Sequence, residues 1–214
     1  MKKLVIFDLD GTLLNTIKDL AFSTNYALQE NHFPTHEVEE YNYFVGNGIY
    51  KLFERALPEN ERTPENIGKV KEKFIEHYSK HNADYSVPYE GIEEMLSALQ
   101  AKGIQLAVAS NKYQAGTAHL VARFFPNIHF TAVFGQREGV PTKPDPSVIH
   151  EILEMAQVSK EDTLYIGDSH VDMQTAINSE VDACGVRWGF RPSTIEPFNP
   201  KFVADKPADI LHFV

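Results

Sequence analysis

The chain has 214 residues, 43% of them hydrophobic and 23% charged, a balance that fits a globular fold and excludes a disordered or fibrous chain. Its 20 basic and 30 acidic residues give a formal net charge of −10, which repels nucleic acid and anionic membranes at long range but allows a local positive pocket for a small anion. No run approaches the ~18 apolar residues of a membrane span, and the single cysteine, Cys184, excludes an internal disulfide and a multi-cysteine metal site.

The first apolar run, Leu4–Phe7, stops at Asp8, too early for a secretory signal, and the lone thiol suits a reducing cytoplasm, which is the expected location. Further short, almost continuously apolar runs follow at Leu106–Ala109, Ala132–Phe134, Leu164–Ile166 and, more weakly, Cys184–Trp188. Strands buried on both faces of a parallel sheet read this way. Helical patterns lie between them. Ile92, Met95, Leu96 and Leu99 share one face and Gly103 supplies a stop, while Val148, Ile149, Ile152, Leu153 and Ala156 form another face that Asp145 is placed to cap, with Pro146 at the first position. Alternating strands and helices predict an α/β, doubly wound, Rossmann-like parallel sheet. Only the stretch from Asn15 to Asp84 breaks the alternation. It holds helical patterns alone, including a face of Ile49, Leu52, Phe53 and Ala56 and a charged helix over Glu65 to His81. The expectation is therefore a core of residues 1–14 and 85–214 with an inserted all-helical cap, 15–84, standing over the carboxyl ends of the strands, where such folds bind ligands.

Chemistry-bearing residues gather at those strand ends. Asp8 and Asp10, two apart and followed by Gly11 and Thr12, place paired carboxylates on one side of the chain beside a turn with free N–H groups. Paired acids beside an apolar strand must be neutralised, as a hard cation such as Mg²⁺ would do, or one must hold a proton; the plain alternative is a turn with solvated acids. The second run ends in Ser110-Asn111-Lys112, where the hydroxyl can meet an anionic oxygen or simply cap a helix. Lys143 stands between stiffening prolines in Lys143-Pro144-Asp145-Pro146. The fourth run ends in Gly167-Asp168-Ser169-His170-Val171-Asp172, and a third strand-end acid with a fourth one turn on reads as a metal site. Cys184 reads as a small core residue, Asn178 and Asp182 as surface. His77 and His81 lack a third ligand, so they read as a wet helix face, and Lys51 as a solvated lysine.

Two acids, a hydroxyl, a lysine and two more acids, in that order, resemble the four motifs of the haloacid dehalogenase-like hydrolase superfamily. The resemblance spans the core, and the helical insertion looks like the superfamily's cap at its first position. It implies that Asp8 is the nucleophile, Asp10 the general acid/base, and Ser110 and Lys143 the phosphoryl-binding pair. It further implies Mg²⁺ held by Asp8, the backbone carbonyl of Asp10 and Asp168, with Asp172 as a secondary ligand or outer support. Asp10 disfavours the dehalogenase branch. Phe7–Leu13, Val45-Gly46-Asn47-Gly48 leading into Leu52–Leu57, and Pro88-Tyr89-Glu90-Gly91 look like the phosphoglycolate phosphatase group. In that setting Gly11, Thr12 and Asn111 in the core, and Gly46, Asn47 and Gly48 in the cap, are the candidate substrate contacts, although the cap loop reads equally well as a plain turn.

The expected activity is a Mg²⁺-dependent phosphatase of small organic phosphate monoesters working through an aspartyl-phosphate, with 2-phosphoglycolate the named candidate. The alternatives are a sugar phosphomutase or pyrophosphatase of the same superfamily, or a non-catalytic module that binds a phosphometabolite. The expected partner is a small phosphorylated metabolite, with no nucleic acid and no membrane, and the oligomeric state stays open.

Overall fold

A computed structural model describes all 214 residues. In chain order the elements are β1 (Leu4–Phe7), β2 (Leu14–Asn15), α1 (Ile17–Glu30), α2 (Tyr41–Phe44), α3 (Ile49–Ala56), α4 (Pro64–His81), β3 (Val87–Pro88) and α5 (Ile92–Ala101). They continue as β4 (Gln105–Tyr113), α6 (Gln114–Phe124), β5 (Ala132–Gln136), α7 (Ser147–Ala156), β6 (Thr163–Gly167), α8 (His170–Ser179), β7 (Asp182–Val186) and β8 (Phe202–Ala204).

The six long-sheet strands run in the order β5-β4-β1-β6-β7-β8, every neighbouring pair parallel. The period of two explains the unbroken apolar runs. In β1, Val5 and Phe7 join a core layer with Leu96 and Leu99 of α5 and Leu120 of α6, whereas Leu4 and Ile6 join a second layer with Ile149 and Ile152 of α7 and Ala176 of α8. Both faces are covered, so neither can tolerate a polar residue until the strand ends. All strands point the same way, so Asp8, Ser110 and Asp168 emerge along one edge of the sheet.

The helices α1 to α4 pack around their own apolar centre, which includes Leu20, Leu28, Tyr41, Phe53, Phe74 and Tyr78. The chain leaves the sheet through β2 and returns through β3, and these two pair antiparallel, Leu14 with Pro88 and Asn15 with Val87. Asp19, at the start of α1, reinforces this crossing. Its carboxylate accepts from Tyr85 N–H, Ser86 N–H and the Ser86 hydroxyl at 2.6–3.1 Å.

Several details differ from the sequence reading. Strand β7 closes at Val186, and Trp188 lies in the following loop, where its Nε1–H donates to the Thr12 carbonyl at 3.0 Å. The edge strand β8 had no counterpart among the apolar runs, because it is three residues long and two of them are only partly buried. Helix α7 opens at Ser147 with Pro146, not Asp145, in the cap position, although the Asp145 carboxylate still accepts from Ser147 N–H at 2.9 Å. No helix is long and apolar enough to cross a membrane.

Candidate active site

Asp8 directly follows β1, and its N–H donates to the Ile166 carbonyl at 2.9 Å, continuing the sheet ladder to the last possible residue. The chain then turns back at once, with the N–H groups of Thr12, Leu13 and Leu14 all donating to the Leu9 carbonyl. Gly11 makes this possible with φ of +87°, and its bare Cα lies so close to the Asp168 carboxylate that a Cβ would overlap it.

Asp168 stands just past β6, and its Oδ2 accepts from Phe190 N–H at 2.7 Å. Asp172 lies in the first turn of α8, where it and Ser169 form a reciprocal cap, Asp172 Oδ2 accepting from Ser169 N–H and Oγ–H. Asp8, Asp168 and Asp172 are all buried, and each can place one carboxylate oxygen within 4.8 Å of the others. Lys143 enters from the loop before α7 and reaches Asp8 at 3.0 Å and Asp172 at 2.8 Å. Tyr165 of β6 accepts from the same ammonium and donates to Asp172. Asn111 fixes the entry of Lys143, its Oδ1 accepting from Lys143 N–H at 2.8 Å and its Nδ2 donating to the Lys143 carbonyl at 3.0 Å.

The electrostatics follow from burial. Desolvation pushes Asp8 up to about 7, with Lys143 working against it and Asp172 and Asp10 adding to it. Desolvation likewise pushes Asp168 up to about 7, helped by repulsion from Asp172 and Asp8. Burial opposes ionisation of Asp172 too, yet Lys143 and the hydrogen bonds around it hold that carboxyl below its ordinary range. Burial opposes the Lys143 ammonium, but Asp172 and Asp8 together keep it protonated, well above the usual lysine range. So Lys143 and Asp172 form a settled ion pair, while Asp8 and Asp168 remain short of positive charge. Their oxygens are a hard, buried donor set, and that fits a divalent cation such as Mg²⁺. Asp172 fits it less directly, because both of its oxygens are already bonded to the protein.

The Asp10 carboxylate stands apart from that cluster. Lys112 of β4 bonds both of its oxygens, at 3.1 and 3.0 Å, and Thr16 Oγ donates at 2.6 Å. The expected metal contact of Asp10 was its backbone carbonyl, and the side chain is free for other work. Lys112 was passed over in the sequence, although its spacing carried the signal. Ser110 and Lys112 are two apart in one strand, as Asp8 and Asp10 are two apart in the neighbouring chain segment, and Lys112 reaches Asp10 at 3.0 Å. Tyr78 reads in the sequence as one of the aromatics of the cap's own core and Thr16 as a small polar residue beside the hinge, neither as a site residue. Tyr78 of α4 places its ring 4.9 Å from the Lys112 ammonium, and its buried hydroxyl has no hydrogen-bond partner.

A small cavity of about 40 Å³ opens beside these groups, between core and cap, and Asp8, Asp10, Ser110, Lys112, Gly46 and Gly48 line it together with Tyr78. The structure thus brings Ser110, Gly46 and Gly48 to the same space as Asp8. Asn111 reaches it too, but its amide is committed to Lys143 and to the Gly46 carbonyl at 3.1 Å, so it acts as a brace between cap loop and core. Asn47 does not line the cavity, and its side chain accepts from Arg55 at 2.8 Å. Thr12 is fully buried away from the cavity, its hydroxyl without a partner. His77 and His81 stack on one another at 4.4 Å, His77 bonding to Ser23 and His81 to Asp84. Lys51 pairs with Glu54 at the surface. Cys184 is buried, and desolvation pushes its thiol up to about 12, so it is an inert core group.

The family model described as haloacid dehalogenase-like hydrolase matches residues 5–186. The chain is 32% identical over 207 residues to a phosphoglycolate phosphatase of Agrobacterium fabrum, covering 96% of this chain and 89% of that protein. It is 30% identical over 218 residues to a phosphoglycolate phosphatase of Vibrio parahaemolyticus, covering 99% and 96%. Among solved structures, a predicted phosphoglycolate phosphatase from Haemophilus somnus superposes with a TM-score of 0.91 at 28% identity, covering 99% of this chain and 97% of that one.

Proposed function

Because the chain belongs to the haloacid dehalogenase-like hydrolases, we propose that it is a Mg²⁺-dependent phosphatase that hydrolyses small phosphate monoesters through an aspartyl-phosphate on Asp8. One observation carries the reading. A buried nucleophile candidate, Asp8, lies 3.0 Å from a lysine ammonium and beside two further acids, while a separate carboxylate, Asp10, faces the same cavity on its own supports.

A carboxylate oxygen of Asp8 attacks phosphorus, and the bond from phosphorus to the ester oxygen breaks. Asp10 gives its proton to the departing alkoxide. A water then attacks the phosphoryl group on Asp8, Asp10 takes a proton from that water, and phosphate leaves with Asp8 restored. Lys143 balances charge on the phosphoryl oxygens and the Ser110 hydroxyl donates to them, which is the larger part of catalysing a transfer that depends chiefly on position and charge. When bound, Mg²⁺ would be held by Asp8, Asp168 and the Asp10 carbonyl, with Asp172 in support, and would supply positive charge to the phosphoryl oxygens. The cap loop at Gly46 and Gly48 closes the cavity over the leaving group.

The names of its relatives make 2-phosphoglycolate the first substrate to try. The test is phosphate release from a panel of 2-phosphoglycolate, sugar phosphates, nucleotides and pyrophosphate, with and without Mg²⁺. The expected result is Mg²⁺-dependent turnover of at least one small monoester, abolished by Asp8→Asn in a protein with unchanged circular dichroism. Near-wild-type turnover by Asp8→Asn overturns the mechanism, and no turnover of any ester by the wild type overturns the assignment.

A further inference from the structure

Arg191 lies in the loop after β7, one residue beyond the Phe190 N–H that donates to Asp168. It is only 8% exposed. Its guanidinium rests on the bare Cα of Gly46 in the cap loop, so closely that a Cβ there would overlap it. Buried arginines are ordinarily matched to a carboxylate or to several carbonyls. Arg191 hydrogen-bonds only through its own carbonyl, which accepts from Thr194 N–H and Oγ–H, and its guanidinium has no acceptor. None of its nitrogens is among the sealed polar atoms that lack a partner, so they open on the seam between core and cap.

The neighbours make the imbalance larger. Arg55 of α3 is close enough that, after burial, the charge of Arg191 is the main influence lowering its pKa. Arg55 is itself held by the Tyr43 and Phe44 carbonyls and by Asn47. His170, at the start of α8, feels both guanidinium groups. The acid that faces Arg191 from the core is Asp168, which belongs to the cation-binding cluster. Two arginines and a histidine thus converge at the edge of the site with a free fork of donors. That fork matches a planar anion bidentately.

We propose that Arg191, backed by Arg55, seats a second anionic group, a carboxylate, carried by the same molecule whose phosphoryl group meets Asp8. This rests on the reading of the site as a phosphate-ester site, and it makes the preferred substrate a short phosphorylated acid rather than a neutral phosphorylated alcohol.

Two hydrolysis-proof probes test it by titration calorimetry on the full chain in Mg²⁺ buffer. The first, 3-phosphonopropionate, carries phosphonate and carboxylate; the second, ethylphosphonate, lacks the carboxylate. The wild type is expected to favour 3-phosphonopropionate by at least about tenfold. Arg191→Met is expected to bring that ratio to within about threefold of unity, and Arg191→Lys, which keeps the charge and loses the fork, to give an intermediate ratio. A residue that only latches the cap loop would weaken both probes together and leave the ratio where it was. No preference in the wild type, no binding of either probe, or an undiminished ratio in Arg191→Met overturns the proposal. The readout needs no turnover. If the wild type hydrolysed no phosphate ester, the phosphatase assignment would fall while the ratio still judged the seat.

Discussion

At the scale of single residues, the site separates two carboxylates that the sequence places only two positions apart. Asp8 faces Lys143 and the acid cluster, whereas Asp10 is bonded by Lys112 and Thr16. The proposed mechanism asks for a proton-transferring carboxyl whose position does not depend on the nucleophile, and the Lys112 pair would hold Asp10 in that way. The pair is nearly buried, with side-chain exposures of 3% for Lys112 and 12% for Asp10, so removing one partner leaves the other poorly solvated. Asp10→Asn should therefore slow hydrolysis of an alkyl phosphate by about 10²-fold or more and that of p-nitrophenyl phosphate much less, because nitrophenolate leaves without a proton. Lys112→Met should show the same asymmetry at smaller size, about tenfold on the alkyl ester, since Thr16 still holds one oxygen of Asp10. Steady-state kinetics on the two substrates checks both. An equal loss on both esters in Lys112→Met would assign Lys112 to phosphoryl binding instead.

At the scale of elements, the connection between sheet and cap consists of the short β2–β3 ribbon and the Asp19 carboxylate that collects the N–H groups of Tyr85 and Ser86. Asp19 is 2% exposed and Ser86 3%, so Asp19→Ala leaves the buried Ser86 N–H without its acceptor. The expected loss is about 1–3 kcal/mol of stability, seen as a lower urea midpoint at unchanged slope. A midpoint equal to that of the wild type would mean that water replaces the carboxylate. This crossing also marks where the sequence stopped being readable. Strands buried on both faces announce themselves as apolar runs, and Leu4–Phe7 and Leu164–Ile166 sit where those runs lie. A two-residue ribbon has no periodicity to detect, and Asp19 looks like any first-turn acid of a helix. The strand-end acids, Ser110 and Lys143 were legible because their residue types are costly where they stand. Arg191 was not, since a loop arginine is ordinarily solvated, and only the fold shows it buried against Gly46.

At the scale of the whole molecule, the site works against the stability of the chain that carries it. Asp8, Asp168 and Asp172 are brought together in the interior, and Lys143 alone cannot neutralise them. Repulsion and desolvation fall on the strand ends of β1 and β6, two central strands of the sheet, in a protein whose net charge is already −10. A divalent cation bound by the native state alone must then stabilise it by mass action, by about 2.7 kcal/mol at a hundredfold excess over the dissociation constant. For a chain of this size that corresponds to a rise in Tm of roughly 5–10 °C. Thermal unfolding followed by circular dichroism across a Mg²⁺ titration should show this rise, and EDTA should remove it. Asp168→Asn keeps an oxygen to accept from Phe190 N–H but removes one of the crowded charges. The metal-free variant should therefore melt no lower than the metal-free wild type, and its increment with Mg²⁺ should shrink to about a degree. The two observations pull in opposite directions on one substitution, so ordinary destabilisation of the core cannot imitate them. An undiminished Mg²⁺ increment in Asp168→Asn would separate the acid cluster from the ion, and a metal-free variant that melts well below the wild type would mean that Asp168 holds the fold together rather than straining it.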